Sequence, residues 1–314
     1  MSSFESFGLN EAYTRVQKVG DKLADFEILI DWEVFRPILE GMYQNNTEKG
    51  GRPNIDVVVM FKILVLQSLY SLSDPELERQ VLDRISFRKF IGFSEKVPDF
   101  STVWKFKERL IQTGKESELW NAFQDQLDLK GLQVKKGVIQ DASIITAEPG
   151  KSKGDKSRGE EAKTRRSKDG TWTKKGKKSY FGYKLHTKMD YDNSLIRDLE
   201  TTTASVHDSQ IDLSLPGEVV YRDKGYFGVK PKGFDATMKR GVRSHPISFS
   251  EQERNKRIMR KRARVERPYA MIKEVFHLSA VKVTTVARVH LKMMFACLNF
   301  NLHQLKTIAK TSPG

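Results

Sequence analysis

Apolar positions follow two different rhythms along this chain. Up to about residue 130 the spacing is helical. Leu23 to Met42 sets Ile28, Ile30, Trp32, Phe35 and Ile38 at mixed helical intervals. Ile55 to Leu72 is apolar nearly all round, which is the pattern of a buried central helix. Ser73-Asp-Pro-Glu76 has the form of a capping box, in which a serine hydroxyl and a glutamate satisfy the free amides of a helix start. It predicts a helix running to about Ile91 and stopped by Gly92. Pro98-Asp-Phe-Ser101 predicts another, with Val103, Phe106 and Leu110 on one stripe. Three such helices joined by short turns suit a helix-turn-helix-like DNA reader, and equally a helical bundle that only dimerises.

Beyond residue 131 the period shortens to two. Gly137-Val-Ile-Gln-Asp141-Ala reads as a short buried strand ending in an acid. Lys151 to Lys178 is polar and rich in glycine, serine and lysine, with Trp172 its only large apolar residue, and predicts a mobile loop. Tyr180 to Met189 alternates as a strand, Asp190-Tyr-Asp-Asn193 turns the chain, and Ser194 to Thr203 returns as a paired strand. Glu218 to Asp223 is a third apolar strand ending in an acid. Ser250-Glu-Gln-Glu253 is a second capping-box pattern, opening a long basic helix that contains Glu266. Val286 to Leu305 predicts a last helix packed on the sheet. The pattern predicts an α/β chain in two domains. Residues 1–130 form an all-α domain for DNA binding or dimerisation, and residues 131–314 an α+β mixed-sheet domain with a basic loop at 151–178.

Charge sharpens the picture. The chain has 314 residues, a hydrophobic fraction of 38% and a formal net charge of +15. Lys151 to Lys178 and Lys239 to Glu274 each hold twelve basic and four acidic residues. The remainder, with 31 basic and 32 acidic residues, is close to neutral. Two concentrated patches on an otherwise neutral chain suit contacts to a polyphosphate backbone. Within the first patch, Lys174, Lys175, Lys177 and Lys178 are candidate DNA contacts; Trp172 either stacks on an unpaired base or packs on the nearest surface. The single cysteine, Cys297, excludes an intrachain disulfide and fits a reducing cytoplasm. The N-terminus lacks a signal-peptide pattern. The most apolar run, Val57 to Leu72, is interrupted by Lys62 and Gln67 and falls short of the ~20 residues a membrane span needs.

Asp141 and Asp223 each follow an apolar β-branched run. Singly, an aspartate at a strand end is most often a turn former or a helix cap. Together with a third acid on a helix, two such residues can hold two Mg²⁺ ions, because hard oxygen donors suit that cation and leave coordination positions for phosphate oxygens. Mn²⁺ can substitute.

These residues resemble those of the insertion-sequence DDE transposases, in particular the insertion-sequence-five group of the insertion-sequence-four-like transposases. The resemblance runs from about Asp31 to Leu305. In the first half it rests on Ile30-Asp-Trp-Glu, Gly51-Arg-Pro, Leu66-Gln-Ser-Leu-Tyr-Ser-Leu-Ser-Asp, Phe90-Ile-Gly-Phe and Pro98-Asp-Phe-Ser-Thr. In the second half it rests on Asp141-Ala-Ser-Ile-Ile, Tyr180-Phe-Gly-Tyr-Lys-Leu-His, Thr203-Ala-Ser-Val-His-Asp-Ser, Asp223-Lys-Gly-Tyr and Arg264-Val-Glu-Arg-Pro-Tyr-Ala-Met-Ile-Lys273. It implies a ribonuclease-H-like catalytic domain with Asp141, Asp223 and Glu266 as catalytic metal ligands. It further implies a prokaryotic, nucleoid-associated protein that cuts the terminal inverted repeats of its own element and joins them to target DNA, as a homodimer on double-stranded DNA. The family's third-acid motif is tyrosine, two residues, arginine, three residues, glutamate, six residues, lysine. Arg262, Glu266 and Lys273 match it, while Met259 replaces the tyrosine. At ~100° per residue these three share one helix face, and the two cations can hold phosphates beside the metals, although Pro268 should kink the helix. His207 and Asp208 also match a family motif, as a capped turn or as groups supporting the metal ligands. A structure-specific endonuclease and a non-catalytic DNA-binding derivative are the alternatives.

Overall fold

Asp56 starts the most apolar helix of the chain by accepting hydrogen bonds from the Val58 and Val59 amides. The structure, a computed structural model, describes residues 4–44, 53–150, 167–243 and 246–311. The chain divides into two compact units: Met1–Gly131 with Leu302–Gly314, and Leu132–Asn301.

The first unit is all helical: α1 (Phe4–Val19), α2 (Lys22–Leu29), α3 (Arg36–Glu40), α4 (Val57–Leu69), α5 (Asp74–Asp83), α6 (Ile85–Phe90), α7 (Phe100–Thr113) and α8 (Lys115–Leu129). As its composition predicts, α4 is the centre: Met60, Phe61, Ile63, Leu64, Val65 and Leu66 are all buried. Phe61 meets Trp32 and Phe35, with ring centroids 6.1 and 4.6 Å away, and Trp32 meets Phe90 edge-on at 5.4 Å. The helix expected from Ser73 to Ile91 is in fact two, because Arg84 is extended (φ −93°, ψ 116°). The reason is geometric. At ~100° per residue an unbroken helix would place Phe90 on the face opposite Leu77 and Val81, and all three are buried. Ser73 and Asp99 cap α5 and α7. Among the described residues no single helix is long and apolar enough to cross a membrane.

The second unit holds β1 (Val138–Ala147), β2 (Thr171–Lys175), β3 (Lys178–Asp190), β4 (Ile196–Thr203), β5 (Val219–Arg222), β6 (Phe234–Thr237), α9 (Phe249–Arg262), α10 (Glu266–Ala270), β7 (Ala280–Val281) and α11 (Val286–Thr311), the last of which ends in the first unit. The sheet is mixed, in the order β2-β3-β1-β5-β6, with β4 also on β3 and β7 on β1. β3 is antiparallel to β1, β2 and β4, whereas β5 runs parallel to β1 and to β6. As expected, α11 packs on this sheet: buried Asn301 brackets the Ile196 amide and carbonyl with bonds of 2.8 and 2.7 Å.

Two expectations are corrected here. The described part of the basic loop, residues 167–178, is not loop throughout, because β2 and the start of β3 form a hairpin that turns at Gly176 (φ 62°). Residues 151–166 lie outside the described residues. The capping box that opens α9 is Ser248 with Glu251, rather than Ser250 with Glu253. Both pairs satisfy the pattern, and Glu253 pairs with Lys256 at 2.7 Å instead.

Gly137 sets β1 against β5. Its φ is +106°, and a Cβ there would stand 2.4 Å from the Val219 carbonyl oxygen. Gly137→Ala should therefore destabilise the protein by roughly 2–4 kcal/mol through strain and overlap. Chemical denaturation measures this, and a loss below ~1 kcal/mol would show that the two strands separate easily.

Candidate active site

Asp141 was expected at the end of a strand. It lies instead within β1, because Ala142-Ser-Ile-Ile continues the ladder against β3 as far as Thr146. Asp223 does follow directly on its strand, β5, and caps the next turn by accepting the Gly225 amide at 2.7 Å. The parallel pairing of Val138 with Val220 and Ile139 with Tyr221 brings the two acids together. Continued two residues further, this register sets Asp141 beside Asp223, where β5 stops.

The third acid arrives from the helical side. Residues 249–275 do not form the single long helix expected. After α9 the chain tightens into a 3₁₀ turn, Ala263–Val265, restarts as α10 at Glu266, and widens into a π turn, Met271–Val275. Pro268 is the third residue of α10, directly after the 3₁₀ turn, so the helical hydrogen-bond pattern changes beside the proline. The breaks also mean that Arg262, Glu266 and Lys273 do not share one continuous helical face.

Two residues flanking Glu266 hold Asp141. Arg262, four positions earlier, donates to the Asp141 carboxylate at 2.9 Å. Tyr269, three positions later, donates its hydroxyl to the Asp141 backbone carbonyl at 2.8 Å. Glu266 lies between them and is exposed.

Burial pushes the Asp141 carboxyl up to about 6, against the opposing pull of Arg262 and the Ala142 amide, and the charges of Asp223 and Asp208 raise it further. A carboxyl in such a place keeps its charge best beside a cation. The donor set of carboxylate oxygens fits a hard divalent ion. Among the described residues no three acidic, histidine or cysteine side chains stand close enough together to share a metal, and Arg262 is the cation that meets Asp141.

His207 is exposed and caps the turn Asp208–Gln210, with its Nδ1 2.7 Å from the Ser209 hydroxyl, which is the structural role weighed for it from the sequence. Asp208 pairs with Lys184 at 2.8 Å, and Lys184 also donates to the Val206 carbonyl. Trp172 packs on Phe181 at 5.4 Å but stays 59% exposed. Lys174, Lys175, Lys177 and Lys178 are all exposed on the hairpin. Lys273 is half-buried; burial and then the charge of Lys175 lower its pKa, so the hairpin and the π turn bring these two lysines near each other. Much of the second basic segment is engaged within the protein. Arg254 donates to the Thr237 carbonyl, Lys261 to the Tyr221 hydroxyl and Arg264 to the Tyr191 carbonyl.

Several contributors escaped the sequence reading. Tyr226, in the quoted fragment Asp223-Lys-Gly-Tyr, is buried, and its hydroxyl is raised by burial first and then by Asp141, Asp208 and Asp223. Gln140 ties β1 to the chain after the His207 turn through the Ile211 carbonyl and the Leu213 amide. Tyr269 stands one turn from Glu266, a spacing that was available as a signal.

Comparison with known families agrees with this arrangement. Residues 133–302 match the family described as Transposase DDE domain, and residues 10–109 match Transposase domain (DUF772). No solved structure matches the chain. The mixed sheet, with parallel β5 and β6 beside an antiparallel β1 and β3, has the ribonuclease-H-like form. Because the first match spans more than half of the residues, the chain belongs to the DDE transposase family.

Proposed function

We propose that the protein binds the terminal inverted repeats of its own mobile element, cleaves the DNA ends and joins their 3′-hydroxyls to target DNA, with Asp141, Asp223 and Glu266 as the catalytic metal ligands. The observation that carries this reading is the convergence on Asp141. Asp223 is its register neighbour, and Glu266 sits between the two residues that grip it. Two Mg²⁺ ions, or Mn²⁺ in their place, would supply charge neutralisation at the attacking and leaving oxygens and an acidified water or 3′-hydroxyl.

The chain's own residues do the rest. The three carboxylates balance the cations. Arg262, once turned from Asp141 to a phosphate, and Lys273 hold the backbone of the cut strand. Lys174, Lys175, Lys177 and Lys178 engage phosphates from the hairpin, and Trp172 offers an exposed ring edge to the same DNA. Asp208, fixed by Lys184, adds negative charge behind Asp141. Two ends must be joined together, so two copies act on one pair of ends.

The test is strand joining on labelled DNA carrying the repeats that flank the coding region, against DNA of random sequence, in Mg²⁺. Joined products made only from matched ends support the reading. Cutting of branched DNA regardless of its ends, without joining, would make the protein a structure-specific endonuclease. Binding without cutting would make it a non-catalytic derivative.

A further inference from the structure

We infer that Tyr269 is a positioning residue that sets the distance between Glu266 and Asp141. The inference rests on the reading of those two acids as metal ligands. Its geometry is independent of that reading. The Tyr269 hydroxyl stands 2.8 Å from the Asp141 carbonyl oxygen and 2.8 Å from the Thr187 hydroxyl. Thr187 is the residue of β3 paired directly with Asp141 of β1. One phenolic oxygen thus joins three elements, α10, β1 and β3, at the level of the first acid.

Two of the three parts are buried and Asp141 is partly so. Thr187 is 0% exposed and Tyr269 9%. The β1–β5 pairing covers Val138 and Ile139, and β1 next meets a parallel partner at Thr146, on β7. In the interval between them the Asp141 carbonyl takes its hydrogen bond from Tyr269. Without that hydroxyl, a part-buried carbonyl and a buried threonine hydroxyl would lose a partner, and unpaired buried polar groups are costly in folded proteins. The helix that carries Glu266 would also lose its fixed point on the strand that carries Asp141.

This bond complements the Arg262 contact rather than repeating it. Arg262 grips the carboxylate itself, so its contact must change when the carboxylate takes another cation. Tyr269 grips the main chain and makes no contact with the carboxylate oxygens of Asp141, which meet Arg262 and the Ala142 amide. Of the two anchors flanking Glu266, it is the one compatible with a loaded site. Groups that orient metal ligands typically contribute 10–100-fold to metal affinity.

The experiment uses the full chain without DNA and titrates Mn²⁺ alone, following the free-ion signal by electron paramagnetic resonance. Tyr269→Phe keeps the ring and removes only the hydroxyl. It should raise the half-saturating Mn²⁺ concentration by about tenfold or more, raise the Mg²⁺ requirement of cleavage in parallel, and leave affinity for terminal-repeat DNA in Ca²⁺ within about twofold. Thr187→Val removes the other partner of the same hydroxyl, loosens its hold on the Asp141 carbonyl, and should raise the half-saturating Mn²⁺ concentration by a smaller but measurable factor. Wild-type Mn²⁺ affinity in folded Tyr269→Phe overturns the inference. If Tyr269→Phe does not fold, Thr187→Val decides: weakened metal binding supports the inference, and wild-type binding overturns it. Glu266→Gln in the same titration separates the two claims. Weakened binding there with none in Tyr269→Phe sinks the positioning role alone, whereas unchanged binding in Glu266→Gln sinks the ligand assignment on which it rests.

Discussion

Asp141→Asn, Asp223→Asn and Glu266→Gln should each reduce cleavage of terminal-repeat DNA by about 10³-fold or more, while leaving its binding within a few-fold of wild type. The amides are nearly isosteric with the carboxylates, so packing survives. They carry no charge, so bound divalent cations lose their compensation, and phosphoryl transfer has little else to neutralise its transition state. Under the proposed reading, binding draws on lysine and arginine contacts to phosphates and should be spared. Asp141→Asn has an added signature. It frees the half-buried Arg262 from its ion pair, which was 2.9 Å long, and so should tighten binding slightly rather than weaken it. Mn²⁺ should support more residual turnover than Mg²⁺ in a weakened site, and Ca²⁺ should allow assembly without cutting. Cleavage of labelled ends with a gel-shift control measures both halves. Wild-type cutting by Glu266→Gln would mean that another acid between Lys239 and Glu274 is the third ligand.

Replacing Lys174, Lys175, Lys177 and Lys178 together by glutamine should weaken DNA binding by on the order of 10²–10³-fold near 0.1 M salt. The log–log salt slope should fall by about 0.9 for each lost phosphate contact, so by about 3–4 in all. All four side chains are exposed, and the hairpin is held by main-chain pairing, so the strands should persist. The affinity is measured across a salt series on matched and random DNA. Loss on both alike is expected, since phosphate contacts carry no sequence information. An unaltered slope would show that this hairpin faces solvent in the complex.

Much of the fold was legible in the sequence, and the misses have physical causes. The apolar runs before Asp141 and Asp223 showed where acids meet strands. Their adjacency was not readable, because a four-residue strand such as β5 carries no mark of its neighbour or register. Asp141 was placed at a strand end because an acid in an apolar run looks like a boundary. The β1–β3 ladder continues past it because Ile144 and Ile145 resume the pattern. The 3₁₀ and π turns around Glu266 leave no trace in composition, yet they decide which residues meet Asp141. Trp172 was open between stacking and packing, and its contact with Phe181 emerges only from the β2–β3 pairing that the lysine-rich composition hid.

Consider finally the membership of α11. Its first residues belong with the sheet and its last, from Leu302, with the helical unit, where His303 meets Phe26 edge-on at 4.9 Å and Lys306 pairs with Asp25. In the order of synthesis, α2 must wait for a segment made some 270 residues later. The two parts of the helical unit are thus separated in sequence by the whole sheet-bearing unit, and the second is made only after it. A chain cut before residue 302 would lack His303 and Lys306, the partners of Phe26 and Asp25, and should leave the buried ring of Phe26 more open to solvent.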